Sequence, residues 1–270
     1  MNPEYKWNDF FCLPQSLPKV AFITGGTVRL GRGIALLLAR VGFDIAVHSR
    51  RDTPEAQSVL QEIRELGRKA VLLTADLSNS EAVSSLIKKA QEKLGDIGVL
   101  INNASTFDRD EWDDVTEESW QRHMQPNLWA PFQLIQQFAK LLPQAKSGVV
   151  INMLDQRVWS LTPHFVSYTV SKTGLWTLTQ TMALALASKS IRVNAIGPGP
   201  AMAHKRQTAE QFARQCASVP LGYGTSVEEV ARSVLNLICL PSVTGQMLAL
   251  DGGQHLQWSP AATSNIDELE

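Results

Sequence analysis

The sequence predicts a single α/β domain in which helices cover both faces of a doubly wound parallel sheet of about seven strands. Short apolar runs alternate along the 270 residues with longer segments whose apolar residues recur at helical spacing. Strands that alternate with helices form parallel sheets, because each crossover helix returns the chain to the same edge. No linker or internal repeat interrupts the pattern. We therefore expect an N-terminal extension at 1–18, one domain at 19–258 and a disordered acidic tail at 259–270.

The elements follow from these patterns in order. Strands are expected at residues 19–24, 44–48, 69–75, 97–101, 149–153, 191–196 and 246–250. Helices are expected at residues 31–42, 54–67, 80–94, 116–142, 165–188, 208–217 and 226–240. Ser80 and Thr116 are suited to cap the third and fourth helices. Pro126 predicts a kink in the fourth helix just before Asn127.

Composition argues against several classes of function. The net charge of −1 provides no long-range attraction for nucleic acid or for an acidic membrane. The first residues lack the apolar core of a signal peptide, and no apolar run approaches the about 20 residues that cross a bilayer. Three separated cysteines without a CxxC pair predict reduced thiols in a cytoplasmic protein. The histidines lack metal-ligand spacing, so we expect no metal site.

A glycine-rich turn, TGGTVRLGRG at residues 24–33, follows the first strand. Gly25 allows a sharp turn, and Gly31 lets the next helix pack closely against the strand. The N-terminus of that helix, directly after Leu30, offers N–H groups and a positive dipole end to a pyrophosphate. Because the motif stands at the first strand–helix turn of an α/β pattern, it predicts a dinucleotide site more strongly than a simple tight turn.

Arg29 departs from the common form of this turn, TGxxxGxG, by replacing its middle glycine. A guanidinium at this position can contact phosphate bidentately and can reach a second ligand beyond it. The alternative is an arginine that only meets solvent.

The residues after the second strand indicate which dinucleotide binds. His48, Ser49, Arg50 and Arg51 offer a hydroxyl and two guanidinium groups, which suit the 2′-phosphate of NADP(H). Asp52 keeps NAD open as the alternative, because an acid here can bind the ribose 2′-hydroxyl.

Tyr168 and Lys172 in YTVSK share one face of a predicted helix. A phenol with a pKa of about 10 is a weak acid at neutral pH, and a nearby ammonium lowers that pKa. The pair can therefore return a proton after hydride transfer. The same four-residue spacing occurs by chance, but here it accompanies the glycine turn, NNA at 102–104 and Asn127.

With these motifs, the chain resembles the short-chain dehydrogenase/reductase family over about residues 19–253, which implies a Rossmann fold and a small-molecule substrate. In that family a tyrosine is the acid/base, a lysine holds the nicotinamide ribose and an asparagine supports a water relay. Tyr168, Lys172 and Asn127 match these positions. The resemblance also implies a homotetramer, and further cofactor contacts from Asp76, Leu77, Asn103, Ala104, Ser105, Met153, Pro198 and Gly199.

Asp155 occupies the place of the family's fourth catalytic residue, a serine thirteen positions before the tyrosine. A serine hydroxyl donates to a carbonyl oxygen, whereas an ionised carboxylate only accepts. The carboxylate also raises the pKa of a nearby phenol. An ordinary ketone reductase should therefore be impaired, whereas a substrate with N–H groups or a C=N bond would be favoured.

Arg29, NNASTF at 102–107 and NMLD at 152–155 together resemble the pteridine reductases. That likeness implies a pterin stacked between nicotinamide and Phe107, with Arg29 and Ser105 bridging cofactor phosphate and pterin. Phe107 can alternatively anchor its loop. The expected activity is NADPH-dependent reduction of a dihydropterin, such as dihydromonapterin or dihydrobiopterin, or of dihydrofolate. A carbonyl reductase and a non-catalytic NADP(H)-binding sensor are the alternatives.

Overall fold

Seven parallel strands form one sheet in the order β3-β2-β1-β4-β5-β6-β7. They come from a computed structural model that describes residues 13–203 and 207–257. The strands are β1 Val20–Thr24, β2 Asp44–Ser49, β3 Ala70–Thr74, β4 Val99–Asn102, β5 Gly148–Met153, β6 Ile191–Pro198 and β7 Met247–Leu250. The expected Rossmann architecture is confirmed. Predictions for residues 1–12 and 258–270 lie outside the described residues.

Helices cover both faces of the sheet. They are α1 Arg29–Arg40, α2 Pro54–Glu65, α3 Ser80–Val83, α4 Leu86–Leu94, α5 Glu117–Met124, α6 Ala130–Leu141, α7 Val166–Leu186, α8 Ala209–Ala217 and α9 Val227–Cys239. One apolar core packs α1, α2 and α9 against one face, and a second packs α4, α6 and α7 against the other. The central strands are buried on both sides, which explains their continuous apolar runs.

The sheet order reverses between β1 and β4, which are neighbours although β2 and β3 come between them in sequence. Ile23 of β1 pairs with Val47 on one side and with Ile101 on the other. In open parallel sheets a crevice forms outside the carboxyl ends of the strands at such a reversal. The fold therefore directs the ends of β1, β4, β5 and β6 to one site.

Two local predictions need correction. The helix expected at 80–94 is two helices, α3 and α4, and Ser80 is not its cap. Asn79 is the cap, because its side chain accepts from the N–H groups of Glu81 and Ala82. The hydroxyl of Ser80 instead accepts from Nε1 of Trp129 at 2.9 Å.

The fourth predicted helix is interrupted where Pro126 was expected to kink it. A π-helical turn, Gln125–Trp129, joins α5 to α6. Proline lacks the N–H that would continue the α-helical ladder, so the turn widens around it. The widened turn contains Asn127, which is 1% exposed.

Candidate active site

The glycine turn has little room for any side chain. Gly25 has a φ of +60°, and a Cβ on Gly31 would lie 2.2 Å from the carbonyl oxygen of Gly25. The amide of Asn103 donates to the carbonyls of Thr24 at 2.9 Å and Gly25 at 3.1 Å. The end of β4 therefore fixes the turn before α1. This geometry fits the pyrophosphate site that the motif predicts.

His48 supports the same turn from below. Its buried ring accepts at Nδ1 from the N–H of Gly25 at 3.4 Å, so Nε2 donates to the carbonyl of Ala75 at 3.1 Å. Burial lowers the pKa of His48, which keeps the ring neutral in this role. We expected His48 to contact the cofactor. In the structure both of its ring nitrogens form hydrogen bonds within the protein.

The proposed 2′-phosphate residues lie together at the carboxyl ends of β2 and β3. Ser49 is half-buried, whereas Arg50 and Arg51 are exposed. The neighbouring Asp52 carboxylate accepts from Nε2 of Gln57 at 2.7 Å. Asp76 accepts from the N–H of Ser78, and Leu77 is buried beside it. Arg50 and Arg51 therefore present two exposed guanidinium groups at the carboxyl end of β2.

A cavity of about 440 Å³ opens at the carboxyl ends of β4, β5 and β6. The residues that line it include these predicted cofactor contacts: Arg29, Leu30, Asn103, Met153, Pro198 and Gly199. From the predicted substrate and catalytic residues it is lined by Ser105, Phe107, Asp155, Tyr168 and Lys172. The fold therefore brings together residues that are far apart in sequence.

Arg29 borders this cavity without reaching across it. Its φ is +52°, and its guanidinium donates to the carbonyls of Ala203 at 2.9 Å and Met202 at 3.2 Å. The arginine thus holds the segment after Pro198–Gly199. The predicted phosphate contact stays a prediction.

Asp155 and Tyr168 are hydrogen-bonded inside the cavity wall. The Tyr168 hydroxyl donates to Oδ2 of Asp155 at 2.9 Å, while Oδ1 accepts from the N–H of Arg157 at 2.9 Å. Burial, and then the charge of Asp155, raise the pKa of Tyr168 well above its usual value. The phenol is therefore a proton donor in the free protein, and the carboxylate is an acceptor beside it.

Lys172 lies beneath this pair. Its Nζ is 5.8 Å from the centroid of the Tyr168 ring and donates to the carbonyl of Met153 at 2.8 Å. Burial lowers the pKa of Lys172 to about 8, against the opposing effect of Asp155. The lowered phenol pKa expected from a nearby ammonium is not what the free protein has, because burial and Asp155 act in the opposite direction.

Asn127 fixes the loop after β4, which carries Ser105, Thr106 and Phe107. Its Oδ1 accepts from the N–H of Thr106 at 2.8 Å and from the Ser105 hydroxyl at 3.2 Å. Its Nδ2 donates to the carbonyl of Thr106 at 2.9 Å and to the hydroxyl of Ser171 at 3.0 Å. The π turn therefore ties the loop after β4 to α7, which carries Tyr168.

Phe107 both lines the cavity and anchors its loop. Its ring is stacked on Phe165 with centroids 4.7 Å apart and planes 1° from parallel. Its ring is also T-shaped with that of Tyr168, with centroids 4.7 Å apart. Phe165 was missed by the sequence analysis, since a residue just before a helix with no motif around it carries no signal.

A buried polar network under the cavity was also missed. The N–H of Asp108 donates to Nε2 of His123 at 3.1 Å, so Nδ1 donates to the hydroxyl of Ser167 at 2.7 Å. That hydroxyl donates to the buried carboxylate of Asp110, which also accepts from the N–H of Ser167 at 3.1 Å. Burial lowers the pKa of His123. The network joins the loop after β4 to the first turn of α7, directly before Tyr168.

Other cavity residues were also missed: Arg157 lies two residues after Asp155, and Gln207, Gln215 and Gln254 lie farther along the chain. Arg157 could have been suspected, because a cation two residues after Asp155 comes at the same strand end. Over the described ranges, no helix is long and apolar enough to span a membrane. Among the same residues no cluster of histidine, cysteine and acidic side chains is arranged to hold a metal ion.

Comparison with known proteins identifies the family of this chain. Residues 19–214 match the family described as short chain dehydrogenase. A crystal structure of FolM alternative dihydrofolate reductase 1 from Brucella canis, complexed with NADP, is 41% identical, covers 92% of this chain and 98% of that one, and has a TM-score of 0.87. The Brucella suis protein, also in complex with NADP, is 42% identical, covers 90% and 96%, and has a TM-score of 0.86.

Curated relatives with other activities also match. A 3beta-hydroxysteroid dehydrogenase 1 from Eggerthella lenta is 33% identical over 88% of this chain and 94% of its own length. A 3-oxoacyl-[acyl-carrier-protein] reductase from Synechocystis sp. is 31% identical over 87% and 96%. Fold, cavity and relatives lead to one conclusion: the chain belongs to the short-chain dehydrogenase family of oxidoreductases, in its pteridine-reductase-like branch.

Proposed function

We propose that the protein is an NADPH-dependent reductase of a dihydropteridine, such as dihydromonapterin, dihydrobiopterin or dihydrofolate. The observation that carries the proposal is the Asp155 carboxylate, which lines the cavity and accepts from the Tyr168 hydroxyl at 2.9 Å. An acceptor-only group suits a substrate edge that offers N–H donors better than one that offers a ketone oxygen. The FolM neighbours, named as dihydrofolate reductases and complexed with NADP, support the same substrate class.

The residues that would hold the cofactor form one strip along the crevice. The turn at Gly25 and Gly31 offers backbone N–H groups to the pyrophosphate, and Arg50 with Arg51 suits a 2′-phosphate. When bound, NADPH supplies the hydride that adds to the carbon of a C=N bond. Lys172 donates from Nζ to the carbonyl of Met153 at 2.8 Å and, as the family resemblance implies, would hold the nicotinamide ribose.

The proton that completes the reduction must reach the nitrogen of that C=N bond. The Tyr168 phenol keeps its proton at neutral pH, because burial and Asp155 raise its pKa. Tyr168 can donate this proton directly or exchange it with Asp155 at 2.9 Å, and solvent restores it. One hydride and one proton would convert C=N to CH–NH, and in this step Tyr168 provides the proton.

The flat substrate ring would lie along the aromatic wall. Phe107 lines the cavity and is braced from behind by Phe165. A rigid aromatic face favours stacking with a planar heterocycle at little cost in side-chain entropy. Ser105 and Arg29 border the same space and offer hydrogen-bond donors to the ring or to a phosphate.

The direct test follows NADPH oxidation by the purified protein with dihydrobiopterin, dihydromonapterin and dihydrofolate, in parallel with a panel of ketones, sugars, steroids and 3-oxoacyl thioesters. Turnover of a dihydropteridine with a kcat/KM at least about 100-fold above that of any carbonyl is the expected result. Turnover confined to the carbonyl panel would refute the proposal. In that case the steroid and 3-oxoacyl relatives would indicate the second candidate, a carbonyl reductase.

We also propose that the chain forms a homotetramer. An apolar groove lies where α5, the π turn and α6 meet α7, lined by Met124, Leu128, Trp129, Phe132 and Leu178. On the same helices Val170 and Leu184 are exposed. Burying such a surface against another copy removes apolar area from water. Light scattering after size exclusion should give four times the chain mass for the wild type and a smaller species for Leu178→Glu. A wild-type monomer would refute it.

A further inference from the structure

Arg157 is a buried cation in the wall of the active-site cavity. It follows Asp155 by two residues, in a 3₁₀ turn at Gln156–Val158, and it is 6% exposed. Its Nε lies 3.9 Å from Oδ1 of Asp155, and its own N–H donates to that oxygen at 2.9 Å. Arg157 thus contacts the carboxylate through both its backbone and its side chain.

The same guanidinium contacts the aromatic wall. Its Cζ lies 4.7 Å from the ring centroid of Phe165 and 5.8 Å from that of Phe107. Aromatic faces attract cations and shape the position of a guanidinium. A buried guanidinium is costly unless charge and hydrogen-bond partners compensate for its lost hydration. Here those partners are the Asp155 carboxylate, which contacts the proposed proton donor Tyr168, and the rings of Phe107 and Phe165, where we propose that the substrate stacks.

We propose that Arg157 is a positioning residue that holds the Asp155 carboxylate toward the Tyr168 hydroxyl and offsets its negative charge. The inference rests on the proposed function, because it assumes that Asp155 takes part in substrate binding and protonation. It explains how the wall of the cavity accommodates a carboxylate at this position. Oδ1 of that carboxylate lies against the backbone N–H of Arg157 at 2.9 Å and its guanidinium at 3.9 Å, and Oδ2 accepts from the Tyr168 hydroxyl.

Other charged groups surround this pair. Lys172, on which the charge of Asp155 also acts, approaches Tyr168 from α7 and donates from Nζ to the carbonyl of Met153 rather than to the carboxylate. His123 meets the Tyr168 ring at 6.0 Å, and burial lowers its pKa. Arg109 lies 6.0 Å from the Phe165 centroid and pairs with Glu111. Arg29 borders the cavity and donates to main-chain carbonyls. Arg157 is also the positive charge that opposes the rise in the pKa of Tyr168.

The kinetic test compares Arg157→Gln, Arg157→Lys, Asp155→Asn and the Asp155→Asn/Arg157→Gln double variant on a substrate that the wild type reduces. Arg122→Gln is the matched control, because Arg122 is a surface arginine that pairs with Glu118 on α5. We expect Arg157→Gln to lower kcat by about 10- to 100-fold, while KM and the Kd for NADPH stay within about 2-fold. Lysine should restore kcat to within about 5-fold of the wild type, since it keeps the charge.

If Arg157 acts through Asp155, the double variant should be no slower than the slower single variant, within about 2-fold. Losses that multiply in the double variant would overturn the inference. A kcat for Arg157→Gln equal to that of Arg122→Gln would overturn it as well. Should Arg157→Gln fail to fold, Arg157→Lys decides: a folded lysine variant without activity would contradict a role of the charge.

A substrate-free readout separates this inference from the proposed function. Crystals of the wild type and of Arg157→Gln with NADP⁺ should differ in the Asp155–Tyr168 contact, which is 2.9 Å in the native protein and should lengthen beyond hydrogen-bond distance in the variant, where the backbone N–H of residue 157 holds Oδ1 without the guanidinium. Retention of the contact would overturn the inference whatever the substrate is. Failure of the proposed function shows in the wild type alone, as absence of dihydropteridine reduction, and the kinetic comparison then uses a carbonyl that the wild type reduces.

Discussion

The crevice is built by different means at its cofactor end, beside Gly25 and Gly31, and at its substrate end, where we propose that the substrate binds beside Phe107. At the cofactor end, Gly25 and Gly31 shape a main-chain turn that hydrogen bonds from Asn103 fix in place. At the substrate end, side chains from separate loops make the wall, with Phe107 stacked on Phe165. The first depends on the absence of side chains and the second on their packing. Substitutions should therefore separate cofactor binding from substrate turnover.

The largest difference between the effect on turnover and the effect on NADPH binding is expected at Tyr168. Tyr168→Phe keeps the ring that packs against Phe107 and removes the hydroxyl that donates to Asp155. We expect kcat to fall by about 1000-fold or more, because the proton donor is lost. The Kd for NADPH, measured by fluorescence titration, should stay within about 2-fold. A kcat within about 10-fold of the wild type would place the proton donor elsewhere.

Gly31→Ala should have the opposite effect and weaken NADPH binding more than turnover. A Cβ would lie 2.2 Å from the Gly25 carbonyl oxygen, so the turn must open. We expect the affinity for NADPH to weaken by about 100-fold, since the pyrophosphate site depends on that turn. The control is Gly67→Ala, which strains a loop glycine at a φ of +75° with open space around it. Equal NADPH affinity in the two variants would contradict the assignment of the turn.

Lys172 predicts a pH dependence of stability. Its folded pKa is about 8, below its unfolded pKa of about 10.4, so the unfolded chain binds more protons between these values. The cost of burying the charge is complete below pH 8 and is relieved as the pH rises toward the unfolded pKa. Relative to Lys172→Met, the wild type should therefore gain on the order of 1 kcal/mol of unfolding free energy per pH unit above 8. Urea titrations at several pH values measure it, and a constant difference would contradict the lowered pKa.

Arg51→Ala should give the smallest effect. The side chain is exposed at the end of β2, so its contact with a 2′-phosphate would be partly screened by solvent. We expect NADPH to bind about 10-fold more weakly and NADH to bind unchanged. Arg68→Ala is the control, because that arginine pairs with Asp44 at the opposite end of β2. Equal losses for both dinucleotides would remove Arg51 from cofactor selection.

Sequence patterns predicted the two ends of the site unequally. The glycine turn, Tyr168, Lys172 and Asp155 stand at fixed spacings along the chain, next to a predicted strand or within a predicted helix. Local patterns therefore identify them. Phe165, Arg157 and Asp110 act through contacts across 50 residues or more, or through a loop conformation, which no periodicity records. The helix expected at 80–94 divides at Ser84 and Ser85, and its cap is Asn79 rather than Ser80, whose hydroxyl contacts Trp129, distant in sequence. The doubly wound parallel sheet of about seven strands, in contrast, followed from the alternation of strands and helices.

The most direct measurement is the turnover of Asp155→Ser on a dihydropteridine, beside its affinity for NADPH. The serine restores the hydroxyl donor typical of carbonyl-reducing relatives and removes the acceptor that contacts Tyr168. We expect dihydropteridine turnover to fall by about 100-fold, with NADPH affinity unchanged within about 2-fold. Wild-type turnover in this variant would show that the carboxylate does not select the substrate.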